Sequence, residues 1–526
     1  MIQYLAYDIK GIQQFIFSVP KLKYIVGASL LIAEFDDWAA DSHKKEVLFT
    51  GGGRGIFHSE NKNKINKIKS ALIAKSKEFG LDLRLGIAGS FSEVVHCAND
   101  FYAFVPDLLD GEPDAVSGML PTTHEKRIHP IIEQRRNIIG QIGSVHSFDQ
   151  KNLKNILGKL PQDIQNFKEK GGQVEFLSNV NPEEVDDRGT KGSKALGDRN
   201  RWAIVCLDGN DMGAQFRTYE KKYEKGSDKE KTDWYQKMSQ QLNCCTKNAF
   251  YEAAAKIINN WYGENRNTIS LQENLLVLPF RPLILGGDDV TAIVHSAYAL
   301  DFAKILIEKF NDLSKQHKEL WVGTNGELTI SAGIAYTNVS LPLHTSLPYA
   351  ESLLGNAKRK FRNDKKDGEA TPAAIDWEHI TESMLDTPTA RRNRDSVFYD
   401  NDISTKIVLT ERPYNFESLD ELLKLKAELQ TVPRSLLAEC QTILTLPWAK
   451  RIQRLAALKK QNNKIFEKLK EENFDGKLGS AWTEKTIDKP NDNYPNLKTE
   501  RTTKFLDAVS LLEEDHRLTQ NTTEDN

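Results

Sequence analysis

Asp288 and Asp289 end the run Gly286-Gly287-Asp288-Asp289, which lies between the apolar stretches Pro282-Leu283-Ile284-Leu285 and Val290-Thr291-Ala292-Ile293-Val294. Two β-prone runs joined by a Gly-Gly turn predict a tight hairpin with paired carboxylates at its tip. The turn glycines would let a phosphate chain approach the backbone closely. A third acid, Asp208, follows the apolar run Val205-Cys206-Leu207. Such a set suits Mg2+ or Mn2+, which prefer oxygen ligands and take one or two protein carboxylates with phosphate oxygens and water. The matching chemistry is nucleotidyl transfer, in which a 3′-hydroxyl attacks an α-phosphate while two cations roughly 3.5 to 4 Å apart stabilise the attacking and leaving oxygens. Asp208, Asp288 and Asp289 are thus the candidate catalytic and metal residues. The competing reading is a solvated turn beside ordinary strand-end acids, since Gly and Asp are common turn formers. Clustered without metal the acids would repel one another, so they should bind a divalent cation or titrate abnormally.

A basic helix is predicted over Glu351 to Arg362, with Lys358 and Arg362 four residues apart and therefore on one face. Both are candidate ligands for the β- and γ-phosphates of a nucleotide held by the hairpin; the alternative is a solvated basic face. Two other basic stretches, His124 to His129 with Arg135-Arg136, and Lys450 to Arg454 with Lys459-Lys460, lack interleaved aromatics. Without that stacking signature they read as solvated faces. No HExxH or His-Asp doublet marks a histidine-metal nuclease centre.

The elements that must position these residues form an internal repeat. A strand entering a helix occurs as Leu5 to Phe15 and again as Val205 to Phe216. A glycine hairpin occurs as Leu48 to Phe57, containing Gly51-Gly52-Gly53-Arg54, and again as Leu283 to Asp289. A closing strand occurs as Leu85-Gly86-Ile87-Ala88 and as Ala332-Gly333-Ile334-Ala335, each preceded by a helical segment (Lys64 to Phe79; Tyr298 to His317). Gly53 and Arg54 stand where the second copy has its acids. The order strand, helix, hairpin, helix, strand is that of a ferredoxin-like sheet, the plan of polymerase and cyclase palms. The expected class is α+β, with a first palm over 1–110, a mostly helical and loop connecting region over 111–200 (its main helix at His124 to Gln141), a second palm over 201–400 and a helical C-terminal domain over 401–526. In the last, leucines recur at helical spacing from Leu422 through Leu469, and the polar stretch from Glu513 onward is expected to be frayed or disordered.

Composition narrows the classes further. Lys and Arg total 71 against 74 Asp and Glu, a net charge of -3, so no global basic surface argues for nucleic acid. The five cysteines show no paired CxxC spacing, which argues against a zinc ribbon and a secreted disulfide framework and fits a reducing cytoplasm. The early apolar stretch Tyr24 to Phe35 is too short to span a bilayer and lacks a signal-peptide layout, so neither membrane nor export is expected.

With tandem palms, Asp208-Gly209-Asn210-Asp211-Met212-Gly213, the Gly-Gly-Asp-Asp hairpin and Ala357-Lys358, the chain resembles the large polymerase-cyclase subunit of type III CRISPR effector complexes, and most closely its Cmr branch. Ile9 to Ile16 with Gly27-Ala28-Ser29, Ala374-Ile375-Asp376-Trp377, Leu409 to Tyr414 and Val432 to Leu437 carry the same likeness. The resemblance implies a second palm that converts ATP into cyclic oligoadenylates when target RNA is bound, in antiviral defence through a cyclic-nucleotide-activated effector. It implies partners that include guide RNA, Gly286 and Gly287 along the phosphates, Lys358 as a triphosphate ligand, and Gly51, Gly52 and Gly53 to Arg54 as the opposing non-catalytic wall where the other ATP lies. The chain departs from the family in starting directly at the first palm, so the HD nuclease domain is expected to be missing. The cysteines of the zinc insert are missing too, so no zinc is expected, and Asn210 takes a place often held by Asp, leaving Asp208 or Asp211 to act. Three alternatives remain open: a standalone cyclic nucleotide synthase, a non-catalytic nucleotide- or RNA-binding scaffold, and a diguanylate-cyclase-like enzyme.

Overall fold

A computed structural model of the chain describes residues 2–16, 22–94, 100–102, 133, 147–177, 201–222, 227–266, 275–338, 341, 343–362, 368–380, 386–400, 404–444, 446, 448–462, 482–487 and 498–519. The repeated landmarks become two sheets. In the first, β1 (Gln3–Ile9) is central, the hairpin β2 (Val47–Gly51) and β3 (Arg54–Ser59) lies on one side, and β4 (Leu83–Ala88) with β5 (Asp100–Tyr102) lies on the other, in the order β2-β3-β1-β4-β5. The second sheet repeats this arrangement with β7 (Arg201–Gly209) central, β9 (Phe280–Gly286) and β10 (Asp289–His295) as the hairpin and β11 (Ile330–Asn338) opposite. It then extends through β12 (Ala374–His379) and β15 (Tyr414–Asn415) to give β15-β12-β11-β7-β10-β9. The chain is α+β, with ferredoxin-like strand order in both palms.

Register makes the correspondence residue by residue. Tyr7 pairs with Gly55 and Leu85 in the first sheet, and Leu207 pairs with Val290 and Ala332 in the second. One step along, Asp8 faces Arg54. The same step in the second sheet leads from the Leu207–Val290 pair to Asp208 and Asp289, whose carboxylate oxygens lie within 4.8 Å of each other. An ion pair in one palm thus stands where the other has two like charges.

The helices form where apolar residues recur at helical spacing and end where caps permit. α1 (Leu22–Ser42) and α2 (Lys62–Phe79) cover the first sheet; Asn61 caps α2 by accepting from the Asn63 amide at 2.9 Å, and Gly80 ends it at φ 69. In the second palm α3 (Met212–Lys222) leaves β7, and α4 (Asp228–Glu264) starts at a reciprocal Ser227–Glu230 capping box. α5 (Ala299–Ser314) buries Phe302, Ala303, Leu306, Ile307 and Phe310 on one stripe, and α6 (Leu343–Arg362) lies over β11 and β7. A single apolar cluster joins Leu5, Tyr7, Phe35 and Leu72 of the first palm to Ile204, Leu283, Ile293 and Leu353 of the second. The two hairpin turns are consequently held side by side: a Cβ on Gly286 would lie 4.0 Å from the Gly52 amide nitrogen.

Beyond the second palm the predicted helices occur over Phe416–Leu429, Arg434–Leu444 and Trp448–Gln461. They are joined by a four-stranded sheet, β13 (Val397–Asp400), β14 (Thr405–Val408), β16 (Trp482–Thr486) and β17 (Thr499–Thr503), in the order β13-β14-β17-β16, which helical periodicity had not announced. Glu513 to Thr519 continue the helix Phe505–Thr519, whose earlier turns bury Phe505, Ala508, Val509, Leu511 and Leu512, and residues 520–526 of the expected frayed stretch lie outside the described residues. One expectation needs correction. Arg451 is buried rather than part of a solvated face, and its guanidinium donates to the Leu446 carbonyl at 3.0 Å. The predicted helix at 124–141 and its basic stretch lie outside the described residues, apart from Glu133. The connecting region's described part holds helices Ser147–Leu157 and Gln162–Glu169, and β6 (Gln173–Glu175) paired with β8 (Leu275–Val277). No helix among the described residues is long and apolar enough to cross a membrane.

Candidate metal and nucleotide site

Asp208 stands near the end of β7, and the pairing of β10 with β7 brings the hairpin turn beside it. Asp289 pairs with Gly286, leaving Gly287 (φ 62) and Asp288 as the two turn residues. Glycine at the first central position with a left-handed φ matches the strand twist of a two-residue hairpin. One carboxylate oxygen from each of Asp208, Asp288 and Asp289 lies within 4.8 Å of the others. Desolvation by the surrounding chain, then the charge of Asp208, holds both hairpin carboxyls well above the usual carboxylate range. Three oxygen donors that repel each other, at a surface open to solvent, fit a hard divalent cation.

Gly209 permits this approach. A Cβ there would come within 2.9 Å of both the Cβ and the Oδ2 of Asp288. Gly209→Ala is therefore expected to push the first turn carboxylate away from Asp208 and lower nucleotide turnover by about 10²-fold, as misplacement by an ångström does. Turnover at saturating metal, compared with an unchanged thermal midpoint, checks this.

The other predicted positions separate. Lys358 on α6 forms an ion pair with Asp208 and donates to the Gly209 carbonyl at 2.8 Å, so it joins the acidic cluster directly. Sequence had suggested only a phosphate contact; its partial neutralisation of the acids is a tertiary finding. Arg362 is exposed at the end of the same helix. Asn210 turns inward, with its amide donating to Thr329 and Ser331 at 2.8 and 3.0 Å. Asp211 adopts φ 60 and accepts the Thr371 amide at 2.7 Å. Among the described residues, the acidic cluster is Asp208, Asp288 and Asp289 alone.

The first hairpin is built against carboxylates. Gly52 and Gly53 both have left-handed φ, 64 and 77, and a Cβ on Gly53 would meet the Cδ1 of Ile12 at 2.5 Å. No side chain fits there without strain, and Arg54 pairs with Asp8 at 3.1 Å while Lys10 pairs with it at 2.7 Å. The Gly53 amide donates to Asp36 at 2.8 Å and is therefore not free for a phosphate, and its carbonyl accepts from the Ile9 amide at 2.7 Å. Asp36, a residue that sequence reasoning missed, also accepts from the Tyr7 hydroxyl at 2.6 Å.

Burial pushes Asp36 from 3.8 up to about 7, partly offset by those two hydrogen bonds. The unfolded chain loses this proton near pH 4 and the folded chain near pH 7, so folding is favoured most below pH 4 and stability falls as pH rises between them. The loss is on the order of 4 kcal/mol at most. Asp36→Asn is expected to flatten this part of the pH profile, read as the thermal midpoint of variant against parent from pH 4 to 8; parallel profiles would exclude it.

Residues 201–367 match the model of the Cas10/Cmr2 second palm domain. The chain carries a second palm domain of the Cas10/Cmr2 family. This palm contains the whole acidic cluster and Lys358. Similar solved structures include the Csm1-Csm4 subcomplex in the type III-A CRISPR-Csm interference complex, at 14% identity over 90% of this chain and 66% of that chain, with a TM-score of 0.45. The Csm1-Csm4 cassette in complex with cA4 is 14% identical over 84% of this chain and 62% of that chain (TM-score 0.42). The cassette in complex with AMPPNP is 13% identical over 90% and 65% (TM-score 0.44). The chain thus spans less than two thirds of the first of these relatives. No curated protein matches it. So distant a likeness leaves substrate and partners to the chemistry of the site.

Proposed function

We propose that the chain is a divalent-metal-dependent nucleotidyltransferase that joins ATP into cyclic oligoadenylates, as the polymerase-like subunit of an RNA-guided type III CRISPR defence complex. The observation that carries this reading is the convergence of Asp208, Asp288 and Asp289 at a hairpin tip that adjoins a second hairpin without acids. Two unlike palms in one chain suit two bound nucleotides with one catalytic member. Mg2+ or Mn2+, when bound, supplies charge stabilisation for the attacking and leaving oxygens. Asp208, Asp288 and Asp289 would hold the cations, and the backbone of Gly286 and Gly287 lets the triphosphate approach. Lys358 would exchange its bond to Asp208 for the β- and γ-phosphates once a cation neutralises that acid, with Arg362 further along the same helix. The wall from Gly51 to Arg54 would face the acceptor nucleotide, where Arg54 and Lys10 bring positive charge without metal.

Guide and target RNA as activators, an effector gated by the product, and action in the cytoplasm belong to the same proposal. The experiment is incubation with ATP and Mn2+ or Mg2+, with and without guide and complementary target RNA in the assembled complex, followed by chromatography against linear and cyclic oligoadenylate standards. Cyclic products that require Asp288 and Asp289 are expected. Absence of product under every RNA condition would sink the enzyme reading, and preference for GTP would redirect it to guanylate chemistry.

A further inference from the structure

The turn that carries Asp288 and Asp289 is itself held by one side chain. Thr246 on α4 is fully buried, at 0% exposure, and its hydroxyl lies 2.9 Å from the Leu242 carbonyl and 2.7 Å from the Gly287 carbonyl. The hydroxyl carries one proton and donates to one carbonyl at a time: Leu242 is the back-bond acceptor that helical Thr commonly uses, and the shorter contact is the one to Gly287. This shorter contact reaches a different element and lands on the central peptide of the turn.

The Gly287 carbonyl belongs to the peptide that leads into Asp288. A donor on that oxygen fixes the peptide plane, and with it the direction in which the Asp288 side chain leaves the backbone. Direction matters here because three mutually repelling carboxylates must converge within 4.8 Å. Such geometry holds only when its support is rigid. α4 is a suitable support: it runs from Asp228 to Glu264 behind a capping box and packs along α5. Tyr235, three turns before Thr246, packs edge-on against Phe49 of β2 with ring centroids 5.9 Å apart. One helix therefore braces the first hairpin by an aromatic contact and grips the second by a hydrogen bond.

We propose that Thr246 is a positioning residue for the divalent-cation site, acting through the Gly287 carbonyl to hold Asp288 and Asp289 toward Asp208. This rests on the reading of those three acids as a cation site. The hydroxyl touches neither cation nor substrate; it sets the orientation of a ligand, as outer partners of metal ligands do.

The test is calorimetric titration of the full-length chain with Mn2+ alone. Thr246→Val keeps the volume and removes the donor, and is expected to weaken Mn2+ binding by about 10-fold or more, the usual range for loss of an outer partner. Thr246→Ser keeps the hydroxyl and should stay within about 3-fold of the parent. If the Val variant loses its folded circular dichroism, Thr246→Ala is compared with Thr246→Ser in its place. Equal Mn2+ affinity in parent and donor-less variant overturns the proposal, as does equal weakening by Ser, which would point to packing. Failure of the parent to bind Mn2+, or unchanged binding by Asp288→Asn/Asp289→Asn, overturns the cation reading itself and Thr246's role with it.

Discussion

Replacing Asp288 and Asp289 together by Asn should lower nucleotide turnover by about 10³-fold or more, equivalent to about 4 kcal/mol in the barrier. The substitution keeps size and hydrogen-bonding shape while removing two of the three charges that converge with Asp208. The same variant should be more stable than the parent in metal-free buffer. Both carboxyls are held above their usual range by desolvation and by Asp208, so their ionisation opposes folding near neutral pH. Two opposite readouts therefore accompany one change: product formation collapses while the metal-free thermal midpoint rises. Added Mn2+ should raise the midpoint of the parent and leave the variant unmoved, because a ligand stabilises only the state that binds it. A variant with parental turnover would remove these acids from the chemistry, and a variant with a lowered midpoint would remove the repulsion argument.

The largest loss of stability is expected from Arg412→Met, far from the acidic cluster. Arg412 donates to the Trp377 carbonyl at 2.6 Å and to Glu378 at 3.1 Å, and forms an ion pair with Asp507 at 2.9 Å. Asp507 is 1% exposed and also accepts from Thr410, Tyr414 and the Glu411 amide. Beside it, Arg392 clasps fully buried Asp376 through two bonds of 3.0 and 2.7 Å. Removal of one partner from such a set leaves buried charge uncompensated and costs about 3 to 5 kcal/mol. Urea denaturation of the purified chain measures this; a loss under about 1 kcal/mol would show that the network relaxes or admits water. Adding Asp507→Asn should recover part of the loss, since the two residues are in contact and their effects couple. The network ties β12 of the second palm to the helix Phe505–Thr519, so the stretches Ala374 to Trp377 and Leu409 to Tyr414 serve as a joint between parts of the chain.

Much of the site is legible in the sequence, for local reasons. The hairpin at Gly286 to Asp289 is specified by its own turn residues and flanking β-prone runs, and Asp208 by the end of an apolar run. The repeat was legible because both palms keep the same order of strand, hairpin and closing strand, and the observed registers of Tyr7 and Leu207 match that alignment. The C-terminal sheet was not legible. Its strands are short, β17 is the polar run Thr499-Glu500-Arg501-Thr502-Thr503, and it pairs with β14 more than ninety residues away. Neither alternation nor a local turn signals such a strand.

By itself, then, the sequence determined that this protein has two palms, that one has a carboxylate hairpin, and which three acids are eligible to meet. Those features follow from turn chemistry and periodicity, which act over a few residues. Only tertiary structure decided that Lys358 is paired with Asp208, that Asn210 and Asp211 turn away, that Arg54 forms an ion pair with Asp8, and that Thr246 grips the turn. Each of these depends on which distant elements share a face, and that is set by burial of a common core rather than by any local preference of the residues concerned.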